Sequence, residues 1–375
     1  MGKLFTVLGL MSGTSGDGVD ASIINSDGID KYSEILNRYF KYDQEIYKNL
    51  HNLRGKIIRL NDLSKNQDEI KNLEKKITLF HAKIVNEILG SVDEKIDFIG
   101  FHGQTIYHNS LEKISRQIGD GNLLSQLTKK IVIYNFRQND IKNGGEGAPL
   151  APIFHRLIVK QKKLDLPVCI LNIGGIANVT AIGEYDNNSF LSRDLGPGNC
   201  LIDEWLRNNT KEKFDKNGEI AKKGKTNELI LNQALDNFEN RPNQKLLSFD
   251  IKDFSLSFVR GLSLEDGAAT LTDFTGRIIG AGLFSFLSDA RDKVWKVLVC
   301  GGGRKNLTLI ERIKFRTLKN LVIQPIDDYG IDGDYVESQA FAFLAIRRFL
   351  ELPISFPDTT GCKSPVTGGE IIKNF

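Results

Sequence analysis

The chain is 375 residues long, with 41% hydrophobic and 26% charged residues, a composition ordinary for a soluble globular enzyme and enough for about two domains. Fifty basic against 47 acidic residues leave a net charge of only +3, which excludes the basic surface that a nucleic-acid partner needs. The four cysteines, Cys169, Cys200, Cys300 and Cys362, form no C-x-x-C pair, so neither a zinc site nor a dithiol centre is expected, and reduced thiols fit the cytoplasm.

No signal peptide or membrane span is expected. The first apolar stretch, "KLFTVL", breaks at once into glycines, and no run approaches the ~18 apolar residues of a spanning helix. That stretch reads as a strand, and "GLMSGTSGDGVDA" (9–21) follows it with four glycines and a cluster of hydroxyls. The loop lacks the lysine of a Walker A motif. Gly16, Gly18 and Ala21 satisfy G-x-G-x-x-[GA], but that fingerprint must open a helix, and "VDASIINSDG" is crowded with β-branched residues, a second strand. The unit is therefore a hairpin whose tip presents backbone N–H groups and hydroxyls to an anion, with glycine allowing close approach.

Further along, "DFIGF" predicts a strand followed by a loop holding His102, Gln104 and Thr105, a place where α/β sheets set ligand groups. "PVCILNIGGIANVTAI" (167–182) repeats the first pattern: strand, a tight turn at Asn172 to Gly175, strand. "SFLSRD" reads as a strand ending at Asp194, with "LGPGN" a turn into the helix "CLIDEWLRN". "LEDGAATLTDFTGRIIGAGLFSFLSDA" is helical, and Gly276, Gly280 and Gly282 predict close helix packing. "VLVCGGGRKNLTLIERI" is a strand, a triple glycine at 301–303 and a helix capped by Asn306. "VESQAFAFLAIRRFL" is a helix with an apolar core face and Glu337 in its first turn. Three glycine-tipped turns so far apart imply one cleft between two related α/β domains: residues 1–135, with the tail 351–375 returning to them, and residues 136–350.

Taken residue by residue, these features have ordinary alternatives. Asp17 and Asp194 could each stabilise a local turn. His102 could be a core histidine, and Glu337 could complement the helix dipole.

At Gly13-Thr14-Ser15-Gly16-Asp17-Gly18-Val19-Asp20 the chain resembles the anhydro-N-acetylmuramic acid kinase family, with its G-T-S-x-D-G-x-D signature. Further family blocks recur in order as "FHGQT" (101–105), "QIGD" (117–120), "GGEGAPLAP" (144–152), "LNIGGIANV" (171–179), "DLGPGN" (194–199), "CGGGRKN" (300–306) and "PDTTG" (357–361). The resemblance implies a two-domain, actin-like ATPase (ribonuclease H-like) fold with an interdomain nucleotide cleft. It also implies a cytoplasmic ATP- and Mg²⁺-dependent kinase of peptidoglycan recycling. Such an enzyme phosphorylates 1,6-anhydro-N-acetylmuramic acid at O6 while water opens the anhydro ring. By that resemblance Gly13 to Asp20, Gly174, Gly175 and Gly302 cradle ATP, and Asp17 holds the metal. Asp194 is the base for water, and His102, Gln104, Thr105, Arg137 and Glu337 meet the sugar. The partner is the small amino sugar, with no nucleic acid and no membrane; a homodimer stays open. Two blocks depart from the family pattern: Asn135-Phe136-Arg137 stands where Asp-Phe-Arg is usual, and "KLLSFDIKD" (245–253) replaces a K-S-T-G-R-E block. A conventional sugar kinase acting on a free hydroxyl, or a non-catalytic nucleotide or sugar sensor, are the alternatives.

Overall fold

The computed structural model describes residues 2–183, 190–241, 248–287, 293–317 and 320–375. They form two compact units, Met1–Leu164 with Tyr335–Phe375, and Asp165–Asp334. The sequence reading draws its boundary at residue 135; the contacts of the folded chain draw it at Leu164.

The first unit is built on β1 (Phe5–Ser12), β2 (Gly18–Ser26) and β3 (Tyr32–Lys41), an antiparallel meander. The β1–β2 hairpin read from the sequence is present. Helix α1 (Gln44–Lys56) starts where the Asp43 side chain accepts from the Ile46 N–H at 2.8 Å, and it buries Ile46, Leu50, Leu53 and Arg54. Helix α2 (Gln67–Leu89) buries Ile70, Leu73, Ile77, His81, Ile84 and Ile88, a helical stripe of period near 3.6. Strand β4 (Phe98–Asn109) joins β1 in parallel, β5 (Ile114–Ile118) folds back on it, and β6 (Ile131–Tyr134) runs parallel to it. The short helix α3 (Gln138–Lys142) follows.

The second unit repeats this plan. Strands β7 (Val168–Ile173), β8 (Ile176–Ile182) and β9 (Phe190–Pro197) form an antiparallel meander. Helices α4 (Cys200–Asn209) and α5 (Leu264–Phe286) follow, then β10 (Trp295–Cys300), parallel to β7. Helix α6 (Leu307–Arg316) and β11 (Leu321–Pro325), parallel to β10, complete it. A Cβ on Gly276 would lie 2.7 Å from Arg312 Cβ, and one on Gly280 would lie 3.0 Å from Arg316 Cβ, so α5 and α6 do pack closely through glycines. Residues 288–290 of that predicted helix lie outside the described residues.

The chain then returns to the first unit as α7 (Val336–Phe349) and a short strand, Glu370–Ile372, antiparallel to β6. Helix α7 lies so near the first sheet that a Cβ on Gly9 would be 2.0 Å from the Ser338 carbonyl, and one on Gly100 would be 2.4 Å from that of Phe341. At the atypical Asn135 the backbone is left-handed, φ +57°, and the side-chain amide donates to Glu370 at 2.6 Å. Asparagine tolerates that backbone, and an aspartate there would face another carboxylate. Apart from β5 and the Glu370–Ile372 strand at the edge of the first sheet, the sheet orders are β3-β2-β1-β4-β6 and β9-β8-β7-β10-β11. This one mixed order, found in both units, is the ribonuclease H-like plan doubled, as in actin-like ATPases.

Candidate functional site

The β1–β2 turn, Gly13 to Asp17, is tight: the Gly16 N–H donates to the Gly13 carbonyl at 3.1 Å, and Gly16 has φ +63°. Its carbonyls are gripped from beneath. Gln104, wholly buried, donates through Nε2 to Gly13 O at 3.0 Å, and Arg54 donates through Nη1 to Thr14 O at 2.6 Å. Ser15 Oγ donates to Asp17 Oδ1 at 2.5 Å, and the Tyr39 hydroxyl bonds the same carboxylate. The glycines of the turn differ sharply. A Cβ on Gly13 would meet only Ser15 Oγ, at 3.9 Å, whereas one on Gly18 would stand 2.5 Å from the Phe40 carbonyl and 2.6 Å from the Tyr39 ring. Gly18 is therefore demanded by the sheet, and Gly13 has open space where a ligand can approach. The Val19 side chain is fully buried in the core, and Asp20 pairs with Met11 and Tyr39 within the sheet.

His102, Gln104 and Thr105 do not form a loop: all three lie inside β4. Gly103, at φ +75°, makes a bulge, with Leu10 opposite Phe101 but Ser12 opposite Gln104. The extra residue re-aims the strand without ending it. His102 is buried, with Nδ1 2.8 Å from Gly103 O and Nε2 3.0 Å from Arg137 Nη2. Since Nδ1 faces a carbonyl it carries the proton, and Nε2 accepts from the guanidinium. Burial first, and then the Arg137 charge, hold this ring well below its ordinary pKa, so it stays neutral. Arg137 also donates to Gly147 O at 2.9 Å. The fork is thus fixed by a histidine on β4 and by the 144–152 loop. That loop is in turn shaped by buried Asp140, which accepts from the Gly147 N–H at 2.7 Å and from Thr360 Oγ1 at 2.6 Å. Thr105 Oγ1 accepts from Gln117 at 3.1 Å. Glu337 is half-buried in the first turn of α7.

In the second unit three turns meet at the carboxyl ends of β7 and β10. The Gly174 and Gly175 carbonyls accept from the N–H groups of Asn199 (2.8 Å), Gly198 (2.9 Å) and Cys200 (3.2 Å) at the start of α4. Gly301, at φ +77°, packs so tightly that its Cβ would lie 2.4 Å from Asn172 Oδ1. Gly174 and Gly302 are the open ones: a Cβ would meet nothing nearer than 3.7 Å on the first and nothing within 4 Å on the second. The strand-to-helix reading holds with one change, a 3₁₀ turn over Gly302–Lys305 before Asn306, whose side chain caps α6 by accepting from Leu309 N–H at 3.0 Å.

Asp194 lies within β9, which continues through Pro197 and does not end in a turn. The pairing skips Leu195, with Asn178 opposite Asp194 and Ala177 opposite Gly196. Gly196 permits this bulge with φ +154°. Asp194 is only 8% exposed, and its Oδ2 accepts from the Phe249 N–H at 2.8 Å. Phe249 belongs to the atypical 245–253 block, of which residues 245–247 lie outside the described residues. Magnesium needs only one or two protein carboxylates beside phosphate oxygens and water. Asp17, half-buried on an exposed turn, fits that demand, and among the described residues no group of three or more His, Cys, Asp or Glu side chains could cage a metal.

Arg54 and Phe249 escape sequence reading. Arg54 does leave a trace, a charged residue four places after Leu50 on the apolar face of α1, whereas Phe249 acts through its main chain and leaves none.

A model of the anhydro-N-acetylmuramic acid kinase family matches residues 5–374. An anhydro-N-acetylmuramic acid kinase of Pelagibacter ubique is 58% identical to this chain over 375 residues, 100% of each. That of Zymomonas mobilis is 38% identical over 371 residues, 97% of this chain and 98% of its own. The Rhodospirillum rubrum protein of the same description is 38% identical over 363 residues, 96% and 92% of the two chains.

Proposed function

The chain belongs to the anhydro-N-acetylmuramic acid kinase family, and from that premise we propose that it couples phosphoryl transfer from ATP to hydrolytic opening of the anhydro sugar. The kinase activity on a small amino sugar follows from membership; the coupled ring opening is our reading of the site. Water attacks the anomeric carbon, the bond from that carbon to O6 breaks, and O6 takes the γ-phosphoryl group. The products are ADP and N-acetylmuramic acid 6-phosphate. The proton released by water passes to the Asp194 carboxylate.

The observation that carries this reading is the placement of Asp194, buried at a strand bulge and steadied by a main-chain N–H. Bulges of this kind recur beside active sites because they re-aim one side chain. The open glycines Gly13, Gly174 and Gly302 let phosphate and nucleotide come against backbone, with Thr14, Ser15, Gly16 and Gly175 in the same turns. Magnesium, when bound, neutralises charge on the transferring group, and Asp17 would hold it through water. Arg137, its fork set by His102, meets the substrate carboxylate, and Thr105 and Glu337 complete the sugar side; Gln104, expected there too, is wholly buried on the Gly13 carbonyl and positions the turn instead. All four cysteines are free thiols, in keeping with a cytoplasmic enzyme, and light scattering decides whether it is a homodimer.

The test is turnover with ATP and Mg²⁺ in ¹⁸O-water on a panel of anhydro and open amino sugars, with rapid mass analysis. The label is expected on the anomeric oxygen of fresh product, beyond an open-sugar exchange control, and absent from its phosphate. A closed-ring product, or label only in free phosphate, overturns the coupled mechanism. Asp194→Asn should bind both substrates yet lose turnover by about 10²–10⁴-fold or more.

A further inference from the structure

We infer that Arg54 is a positioning residue that sets the phosphate turn and the sugar-bearing strand from one guanidinium; the inference rests on the site reading above. Arg54 projects from the buried face of α1 and is only 8% exposed. It donates through Nη1 to Thr14 O at 2.6 Å, and through Nη2 and Nε to Thr105 O at 2.7 and 3.2 Å. One planar fork thus spans the β1–β2 turn and β4, which lie 91 residues apart at Gly13 and Gln104.

The consequence for an anion follows from peptide geometry. A trans peptide is planar, and its C=O and the next N–H point to opposite sides. With the Thr14 carbonyl held inward by Arg54, the Ser15 N–H must turn away from the buried side. With the Gly13 carbonyl held inward by Gln104, the Thr14 N–H does the same. Two successive donors turned outward make the start of an anion nest. Gly16 closes the turn onto the same support, since a Cβ there would lie 3.0 Å from Arg54 Nη1 and 2.7 Å from Leu50 Cδ2. Lysine cannot replace this fork: a single ammonium keeps the charge but not the two directions.

The test compares Arg54→Ala, Arg54→Lys and wild type, each assayed well below its melting temperature. ADP affinity by calorimetry is read beside KM for ATP and for the sugar. Arg54→Ala is expected to weaken ADP about tenfold or more, the loss of a charge-assisted hydrogen bond. It should also raise both KM values together, because both elements lose their anchor, and millimolar guanidinium should restore part of the loss. Arg54→Lys should fold and fall between the two. If Arg54→Ala does not fold, Arg54→Lys decides alone by a raised KM for both substrates. Wild-type ADP affinity and KM values in a folded variant overturn the inference. A wild type that binds no ADP overturns the site reading itself, and this inference with it.

Discussion

Two glycines five residues apart in one signature have opposite reasons to be glycine. Gly18 is excluded from substitution by the Phe40 carbonyl and the Tyr39 ring, and Gly13 by nothing in the protein. Gly18→Ala should therefore lower stability by roughly 1–3 kcal/mol through overpacking, and any loss of binding would be confounded with that. Gly13→Ala should leave the melting temperature nearly unchanged, within the ~0.5 kcal/mol of a neutral surface change, yet weaken ADP because the new methyl group occupies the ligand's side. Calorimetry and thermal melts on both variants check this; Gly13→Ala with unaltered ADP affinity would remove the turn from the phosphate site. The signature was legible in the sequence as a hairpin tip, from its β-branched flanks. Which glycine the sheet itself demands was not, because the answer lies in β3, the strand that pairs with β2 but stands about twenty residues further on in the chain.

At the scale of elements, glycines bring α7 onto the first sheet. The Gly9 and Gly100 positions leave no room for a methyl group beneath the Ser338 and Phe341 carbonyls. A backbone carbonyl cannot swing aside as a side chain can, so Gly9→Ala should cost about 3 kcal/mol or more, seen as a lower denaturant midpoint. An unchanged midpoint would mean that α7 is not seated on β1. Meander strands and helices were largely readable in the sequence, since burial imposes periods of 2 and 3.6 on apolar residues. The ends of β4 and β9 were not. Gly103 and Gly196 resemble strand terminators in sequence, but each sits in a bulge, and pairing resumes beyond it. The sequence reading thus puts His102, Gln104 and Thr105 in a loop and ends a strand at Asp194, whereas all four lie within strands. On strands they are held more rigidly than a loop would hold them.

Across the whole molecule, histidines and tryptophans are segregated. The five histidines, His51, His81, His102, His108 and His155, belong to the first unit, and both tryptophans, Trp205 and Trp295, to the second. Burial depresses the pKa of His81 to about 4 and that of His155 to about 3. Burial, then the Arg137 charge, brings His108 to about 3 and holds His102 well down. These four are neutral when folded, while in the unfolded chain each takes a proton near 6.5. Between those values the unfolded state binds more protons, so stability is intact above pH 6.5 and falls as the pH drops toward 4. At pH 5.5 each ring contributes on the order of 1 kcal/mol to that loss, so the four together take a large share of the whole stability of a typical domain. The second unit carries none of this load. Its carboxylates held low by Arg304, Asp327 and Asp334, titrate below this window. On acidification from pH 7.5 to 4.5, far-UV circular dichroism should therefore report loss of the first unit while tryptophan emission still reports a folded second one. Phosphate-turn function should vanish with the first signal. If the two signals fall together at one pH, the histidines do not set the acid limit of the first unit alone, and the predicted asymmetry is wrong.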